Sequence, residues 1–440
     1  MSSPLSAWLA RWSLVLPLLA AEGVIALGFG AILPILSIFY TQHGVDLPEL
    51  GIVVAAWPAA RLFAEPLFGR LADRVSRKTM MVVALAVSAI AGVLPVAVSG
   101  TLAFIVLRLI AGLAAAAYDP AARGYLMDAN PPERQGETFG LYSAAQMGGF
   151  MVGPAVGGLA AAITGEPTVV FWVFGLAYAV SALVVLVRVA DLRPERTHAT
   201  VAVPISGGRP GGEAVEGPTP APAGPGATDG EGGAEPARLL NRLLLVALIV
   251  NVGAYLAGGT YEVIWSVYMT SLGASFALIG VSFFTFSLPV LILSPFTGRL
   301  VDRQGGFLAL VLGGIGVAAC GLAYPAIPSV WWMIGLGLVE GTAAAFSSPA
   351  LYTLVARAAP SGKSSTAQGL FGAAGTSGTI VASVATGFLA SIDLRLPFVA
   401  MGLAMLVLLV VGLAIGGRVL WDVLQPRPAA GPPEAAAPAA

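Results

Sequence analysis

"GRLADRVSRK", residues 69–78, puts four cations and one acid into ten residues of a chain in which only 10% of residues are charged. A shorter copy, "GRLVDR", stands at 298–303, 229 residues further on. At the same offset Pro66 falls on Pro295, "AAAYDPA" (115–121) on "AAFSSPA" (344–350), Pro131 on Pro360, Gly149 on Gly378, and Gly44 and Gly51 on Gly273 and Gly280. The register holds without a gap from about residue 44 to 158. Shared greasiness alone does not keep Gly, Pro and Asp in step over such a distance. Two halves of common origin are the simplest account, and parallel repeats of this kind are a transporter architecture with its site between the halves.

The composition says what surrounds the halves. Of 440 residues 57% are apolar, and the mean hydropathy is +0.86. A soluble domain carries about a quarter charged residues. A membrane helix needs about 20 mostly apolar residues. Twelve such stretches can be read: 12–39, 49–69, 79–98, 101–126, 137–163, 168–190, 240–271, 277–297, 307–326, 329–355, 366–391 and 396–420. The expected fold is therefore an all-α polytopic membrane protein of twelve transmembrane helices in two pseudo-symmetric six-helix bundles, 1–190 and 239–420. The first apolar run continues past Ala21 to Tyr40, which suits a retained helix better than a cleaved signal peptide. Residues 191–238 and 421–440 are rich in Pro, Gly and Ala and lack the large apolar residues a fold needs, so a disordered linker and a disordered tail are expected.

Several function classes drop out. The net charge of −1 offers nothing to nucleic acid. The one cysteine, Cys320, and the two histidines, His43 and His198, leave no disulfide, metal centre or haem to expect, and no cofactor is called for. "SGKSS" (361–365) is the nearest phosphate-loop lookalike, but Arg357 stands where its first glycine should be, which argues against an ATP-driven pump. No nucleophile elbow or extramembrane catalytic domain suggests an enzyme.

Loop charge orients the bundles. The termini and the loops after helices 2, 4, 6, 8 and 10 hold fifteen Lys and Arg residues, among them Arg70, Arg74, Arg77, Lys78, Arg134, Arg299, Arg303 and Arg357. The opposite loops hold one, Arg395. The positive-inside rule then puts both termini, the linker and "GRLADRVSRK" in the cytoplasm, and the chain in the cell's inner membrane.

At this point the chain resembles the major facilitator superfamily, from about residue 12 to 420. "GRLADRVSRK" is similar to that superfamily's loop signature G-x-L-A-D-R-x-G-R-K, with Ser76 at the second glycine. "RLIAG" (108–112) is similar to the fourth-helix motif, and "LGFGAILP" (27–34) to the first-helix motif of the twelve-helix drug/proton antiporters, with Ser37 at its second proline. "GGFMVGPAVGG" (148–158) resembles the fifth-helix antiporter motif, which implies export by antiport. Gly148, Gly153, Pro154, Gly157 and Gly158 carry it. Close helix packing is the alternative role of those glycines, although the second half reads "ASVATG" (382–387) at the equivalent place, without Gly-Pro. The resemblance also makes the charged loop a latch built from Gly69, Asp73, Arg74 and Arg77, with Asp302 and Arg303 as the second-half copy. Asp73 is expected to face the positive N-terminal end of helix 11. Arg74 and Arg77 are expected to meet acids at helix ends, Asp128 or Glu137.

A charge at mid-bilayer costs about 2.5–3.5 kcal/mol on insertion scales, so charges there are functional candidates. In the resembled family helices 1, 4, 7 and 10 line the central cavity, and one acid lies on each: Glu22, Asp119, Glu262 and Glu340. Arg108 joins Asp119 on helix 4. Eleven residues apart, they share a face about 16 Å apart along the axis, so each needs a partner on another helix or water. Arg61 and Glu65, four apart on helix 2, suit a structural ion pair, with a gating role for Glu65 as the alternative. Tyr255, Gly259, Glu262, Ser266 and Met269 form one stripe of helix 7 and suggest a polar, aromatic cavity wall.

These readings combine into a monomeric exporter of small amphiphilic or drug-like molecules by proton antiport. An apolar pocket disfavours a charged carboxylate, so such a group would take a proton from outside and release it inside. One proton moving down 100 mV gains about 2.3 kcal/mol, and a pH unit adds about 1.4, together a few-hundredfold substrate gradient. The alternative on the same fold is an uptake symporter or facilitator. A sensor signalling through 191–238 is a further class.

Overall fold

In lipid every backbone N–H and C=O must be satisfied within the chain, so a sequence this apolar folds as helices. The computed structural model describes residues 11–131, 134–191, 240–360 and 363–425. Among them are twelve helices long and apolar enough to cross a membrane. They are α1 (Leu16–Gln42), α2 (Leu47–Ala72), α3 (Arg77–Val93), α4 (Thr101–Asp128), α5 (Gln135–Thr164), α6 (Val169–Arg188), α7 (Arg242–Ser271), α8 (Phe276–Gln304), α9 (Phe307–Ala323), α10 (Val330–Ala358), α11 (Ser364–Ile392) and α12 (Leu396–Val423). All of the expected linker 191–238 except Asp191, and the expected tail 421–440 from residue 426 on, lie outside the described residues.

Local chemistry sets several ends. Ser76, the departure from the loop signature, is the N-cap of α3: its Oγ accepts from the Thr79 N–H at 3.3 Å and donates to Asp191 at 2.8 Å. α12 continues past the expected end at residue 420. Gly417 turns the chain with a φ of +54°, which a glycine tolerates, and the helix then reaches Val423. Trp421 packs on Phe307, and the Leu424 carbonyl accepts from the Gly306 N–H at 2.8 Å.

The 229-residue repeat is visible as duplicated contacts. Gly30 of α1 is pressed onto the Phe150 carbonyl of α5, and its image Gly259 of α7 onto the Thr379 carbonyl of α11. Gly112 lies on the Trp57 carbonyl and Gly341 on that of Phe286. α1–α6 and α7–α12 are two six-helix bundles of the same design.

The bundles meet at one end only. Call the end carrying Arg70, Arg74 and Arg77 the basic face and the opposite end the far face. Near the far face Gly51 of α2 packs onto Ser383 and Gly387 of α11, and its image Gly280 of α8 packs onto Pro154 and Gly158 of α5. No side chain fits at either crossing. The cores join there too. Val263 of α7 sits in a cluster whose other buried residues belong to the first bundle, and Ile38 of α1 in one whose other buried residues belong to the second. Toward the basic face the core around Trp12, Met81 and Tyr125 holds first-bundle residues only, and the core around Leu244, Leu354 and Leu420 second-bundle residues only. The molecule is closed at the far face and open toward the basic one.

Candidate functional site

Between the bundles lies a cavity of about 470 Å³, large enough for a drug-sized molecule. Its second-bundle wall runs from Leu310, Val250 and Leu351 near the basic face down to Trp265, Ser282 and Tyr324. Phe29, Leu33, Trp57 and Phe150 form the first-bundle wall. The lining is mostly apolar and aromatic, with Glu262 and Glu340 as its acids.

The four predicted acids fall into two layers and two chemical kinds. Glu262 and Glu340 lie about ten residues from the far ends of α7 and α10, whereas Glu22 and Asp119 lie in the basic half of α1 and α4. Glu262 and Asp119 each have an arginine. Arg108 donates from Nη2 to Glu262 Oε1 at 2.7 Å and to the Val54 carbonyl at 3.1 Å. Arg61 holds both Glu65 and Asp119, so the expected Arg61–Glu65 pair exists and is one arm of a three-membered cluster. Arg108 and Asp119 do not meet, as the helix geometry requires. Trp57 stands between the layers, with Arg61 Cζ 4.8 Å and Arg108 Cζ 5.9 Å from its ring centre.

Glu22 and Glu340 have neutral donors instead, and each is 2% exposed. Glu22 accepts from Tyr118 Oη at 3.0 Å and Gln146 Nε2 at 2.8 Å. Glu340 accepts from Tyr261 Oη and Tyr324 Oη, both at 2.7 Å, one on each oxygen. Trp265 packs edge-on to Tyr324 at 4.8 Å and donates to Ser282 at 2.8 Å. This pattern has a chemical consequence. A carboxylate can only accept, whereas a carboxylic acid also donates one O–H. Protonating Glu340 therefore requires one tyrosine hydroxyl to turn from donor to acceptor, which a hydroxyl does by rotation. Protonating Glu262 would leave Arg108 without its anion.

Other predicted residues fall elsewhere. Tyr255 lines the cavity, but Ser266 and Met269 are buried at the bundle seam. The cavity-facing stripe of α7 is Ala254, Gly258, Tyr261 and Trp265, because a helix advances 100° per residue and the seam takes the neighbouring face. In the fifth-helix motif Gly149, Gly153 and Gly157 are pressed onto α1 within the bundle. Gly158 and the Pro154 carbonyl face α8 across the seam, and Gly148 has nothing within 4 Å. Ser383 and Gly387 make the matching contact on α2 without a proline, so the packing itself does not depend on Pro154.

The contact expected of the charged loop is not made in this structure. Asp73 does not face α11: its side chain is 75% exposed and its ion pair is Arg77 at 3.9 Å. The bundles are apart at this end, so the helix terminus expected to hold it is out of reach. Arg77 does pair with Asp128. Glu137 pairs with Arg11 at 2.7 Å instead of with the loop, and Arg74 makes no ion pair among the described residues. Gly69 meets no neighbour within 4 Å. The second copy is alike in sequence but not in contacts. α8 runs through Asp302 and Arg303 to Gln304, and both residues are exposed without ion pairs among the described residues. The image of Asp128 is Arg357, which donates to the Val423 and Gln425 carbonyls and ties α10 to the end of α12.

The sequence profile of the Major Facilitator Superfamily matches residues 18–247 and 243–438. The chain belongs to this superfamily. Its members are membrane transporters of small molecules and not enzymes, and the chain is a multi-pass membrane protein. The quinolone resistance protein NorA of Staphylococcus aureus is 29% identical over 142 residues, 32% of this chain and 36% of NorA, so the match spans about a third of that relative. An uncharacterised MFS-type transporter of Methanocaldococcus jannaschii is 22% identical over 367 residues, 83% of this chain and 88% of that protein. Among solved structures, a bacterial homologue of the human lysosomal transporter Spinster, inward-facing and occupied, aligns with a TM-score of 0.71 at 13% identity, covering 98% of this chain and all of that one. The nucleoside transporter NupG aligns at 0.69 and 14% identity, covering 92% of this chain and 99% of that one. At these identities the structures bear on fold alone.

Sequence reasoning missed Trp57, Tyr118, Gln146, Tyr261 and Tyr324. Tyr118 and Tyr261 stand beside acids in the chain and could have been suspected. Tyr324 and Gln146 reach their acids from other helices, and nothing in their own neighbourhood announces it.

Proposed function

We propose that this superfamily member exports small amphiphilic, drug-like molecules across the cell's inner membrane in exchange for protons, with its basic face, both termini and the linker in the cytoplasm. Glu340 is the observation that carries the proposal. It lies at the floor of an aromatic cavity, buried, satisfied on both oxygens by hydroxyls that can reverse, and free of any cation that its protonation would strand. Such a group can hold or release a proton without leaving a buried partner unpaired. Glu262, tied to Arg108 across the seam, is suited to report the state of the far-face gate instead. Substrate enters the open side, the seam opens at the far face, substrate leaves and a proton returns to Glu340. The partial similarity to NorA supports export of drug-like molecules.

The test uses the purified chain in liposomes with a fluorescent lipophilic cation as probe and an imposed pH gradient. Acid on the far side should drive the probe from the basic side toward the far side, and a protonophore should abolish the movement. Probe movement in the same direction as the proton would make the chain a symporter, and movement indifferent to the gradient would make it a facilitator.

A further inference from the structure

Two smaller cavities lie inside the first bundle, behind the wall formed by Phe29 and Trp57. One, about 260 Å³, is bordered by Glu22, Arg61, Tyr118, Asp119 and Gln146. The other, about 40 Å³, is bordered by Tyr40, Pro95, Arg108 and Ala111. They share Phe29, Trp57, Ser88, Ala115 and Tyr178 as walls, so they adjoin.

A buried polar group that no protein atom satisfies borders this space. Arg108 is 7% exposed, and its Nε is buried with no hydrogen-bond partner among the described residues. The hydroxyl-bearing residues Tyr40, Ser88 and Tyr178 also border the space, and Ser88 is 3% exposed on α3, a helix that does not line the central cavity. Buried polar groups are almost always satisfied, by water where protein does not reach. At roughly 10–15 Å³ per water, the smaller cavity has room for about three.

The repeat shows how the counterpart of this space is lined in the second bundle. In the second bundle the images of Ile32, Leu36, Pro95 and Ala111 are Tyr261, Trp265, Tyr324 and Glu340. Those four residues line the central cavity, as do Gly258 and Gly337, the images of Phe29 and Arg108, so the second-bundle counterpart of this space is part of that cavity.

We infer that the first bundle holds a buried water site against Arg108 Nε, joined to the Glu22–Asp119 layer, which solvates the guanidinium when the Arg108–Glu262 pair opens. The inference rests on alternating exposure, part of the function proposed above, and not on proton coupling. Opening the far face pulls α4 and α7 apart and takes Glu262 from Arg108. A dry, unpaired guanidinium in the bundle would hold the seam shut. Water at Nε, backed by the carboxylates of Glu22 and Asp119 beyond Ser88, removes that obstacle. The charged and titratable groups facing this space are Glu22 and Tyr40 of α1, Arg61 of α2, Arg108, Tyr118 and Asp119 of α4, and Tyr178 of α6, while α3 contributes Ser88.

The test reads far-face opening directly. Ile38 is 4% exposed at the seam, so Ile38→Cys, in a Cys320→Ala background, meets a membrane-impermeant thiol reagent only when the far face opens. Ala115→Leu fills the shared wall and should slow alkylation at least tenfold. Ser88→Ala removes one water partner without adding volume, should slow it about threefold, and decides the matter if Ala115→Leu fails to fold. In an Arg108→Gln/Glu262→Gln background there is no charge to solvate, and both effects should vanish. Unchanged alkylation in both variants, or a slowing that persists without the ion pair, overturns the water site. A parent Ile38→Cys that never reacts overturns alternating exposure along with it, and loss of proton coupling alone leaves it standing.

Discussion

Arg108 of α4 donates to Glu262 of α7 at 2.7 Å, across the seam where the bundles meet. Both side chains are largely buried, at 9% and 15% exposure. Removing one partner of such a pair is worse than removing both, because it leaves an uncompensated buried charge. Glu262→Gln and Arg108→Gln should each lower stability by about 3 kcal/mol, whereas the double variant should recover most of that loss. Thermal unfolding of the four proteins in one detergent measures the cycle. Additive losses would mean that the pair contributes nothing as a pair.

Glu340 divides coupling from binding. Glu340→Gln should abolish probe movement driven by a pH gradient and leave counterflow exchange of the probe within about threefold, since exchange needs no net proton transfer. Tyr261→Phe and Tyr324→Phe each leave one carboxylate oxygen without a donor, which costs about 1–3 kcal/mol. Both should shift the pH dependence of transport while keeping it. A Glu340→Gln variant that still follows the gradient would move coupling to another acid.

The glycine crossings set the balance between the two open states. At Gly280 a methyl would lie 3.1 Å from the Gly158 Cα, and at Gly51 it would lie 3.1 Å from the Gly387 Cα. Overpacking of this kind costs about 1–3 kcal/mol in the closed seam alone. Gly280→Ala and Gly51→Ala should therefore raise the population open at the far face by about tenfold, as seen in spin-label distances between Gln42→Cys and Ser271→Cys. Gly148→Ala, with open space around it, should change neither distance nor transport.

The basic loop should act only when the bundles close over it. Asp73 is exposed in this conformation, so Asp73→Asn should leave expression and melting temperature unchanged. Transport should still fall at least tenfold, because the conformation closed at the basic face loses its latch. Normal turnover would reduce the loop to an orientation signal.

Much of this architecture is legible in the chain. Twelve apolar spans follow from the absence of water in lipid, which leaves helices as the way to satisfy the backbone. The 229-residue repeat follows from Gly, Pro and Asp kept in step, and it reappears as paired contacts such as Gly51 on Gly387 and Gly280 on Gly158. The intramembrane acids were legible too, because a charge in an apolar helix stands out against its cost. Which acid pairs with which cation was not. Helical spacing says that Arg108 and Asp119 share a face and cannot touch, but their partners Glu262 and Arg61 lie on other helices, 154 and 58 residues away along the chain. The tertiary structure alone decided that Glu262 has an arginine and Glu340 two tyrosines, and that Asp73 is exposed while the far face is closed. Periodicity and hydropathy act within one helix, whereas a side chain's partner is set by where two helices cross, and that depends on the packing of every helix between them.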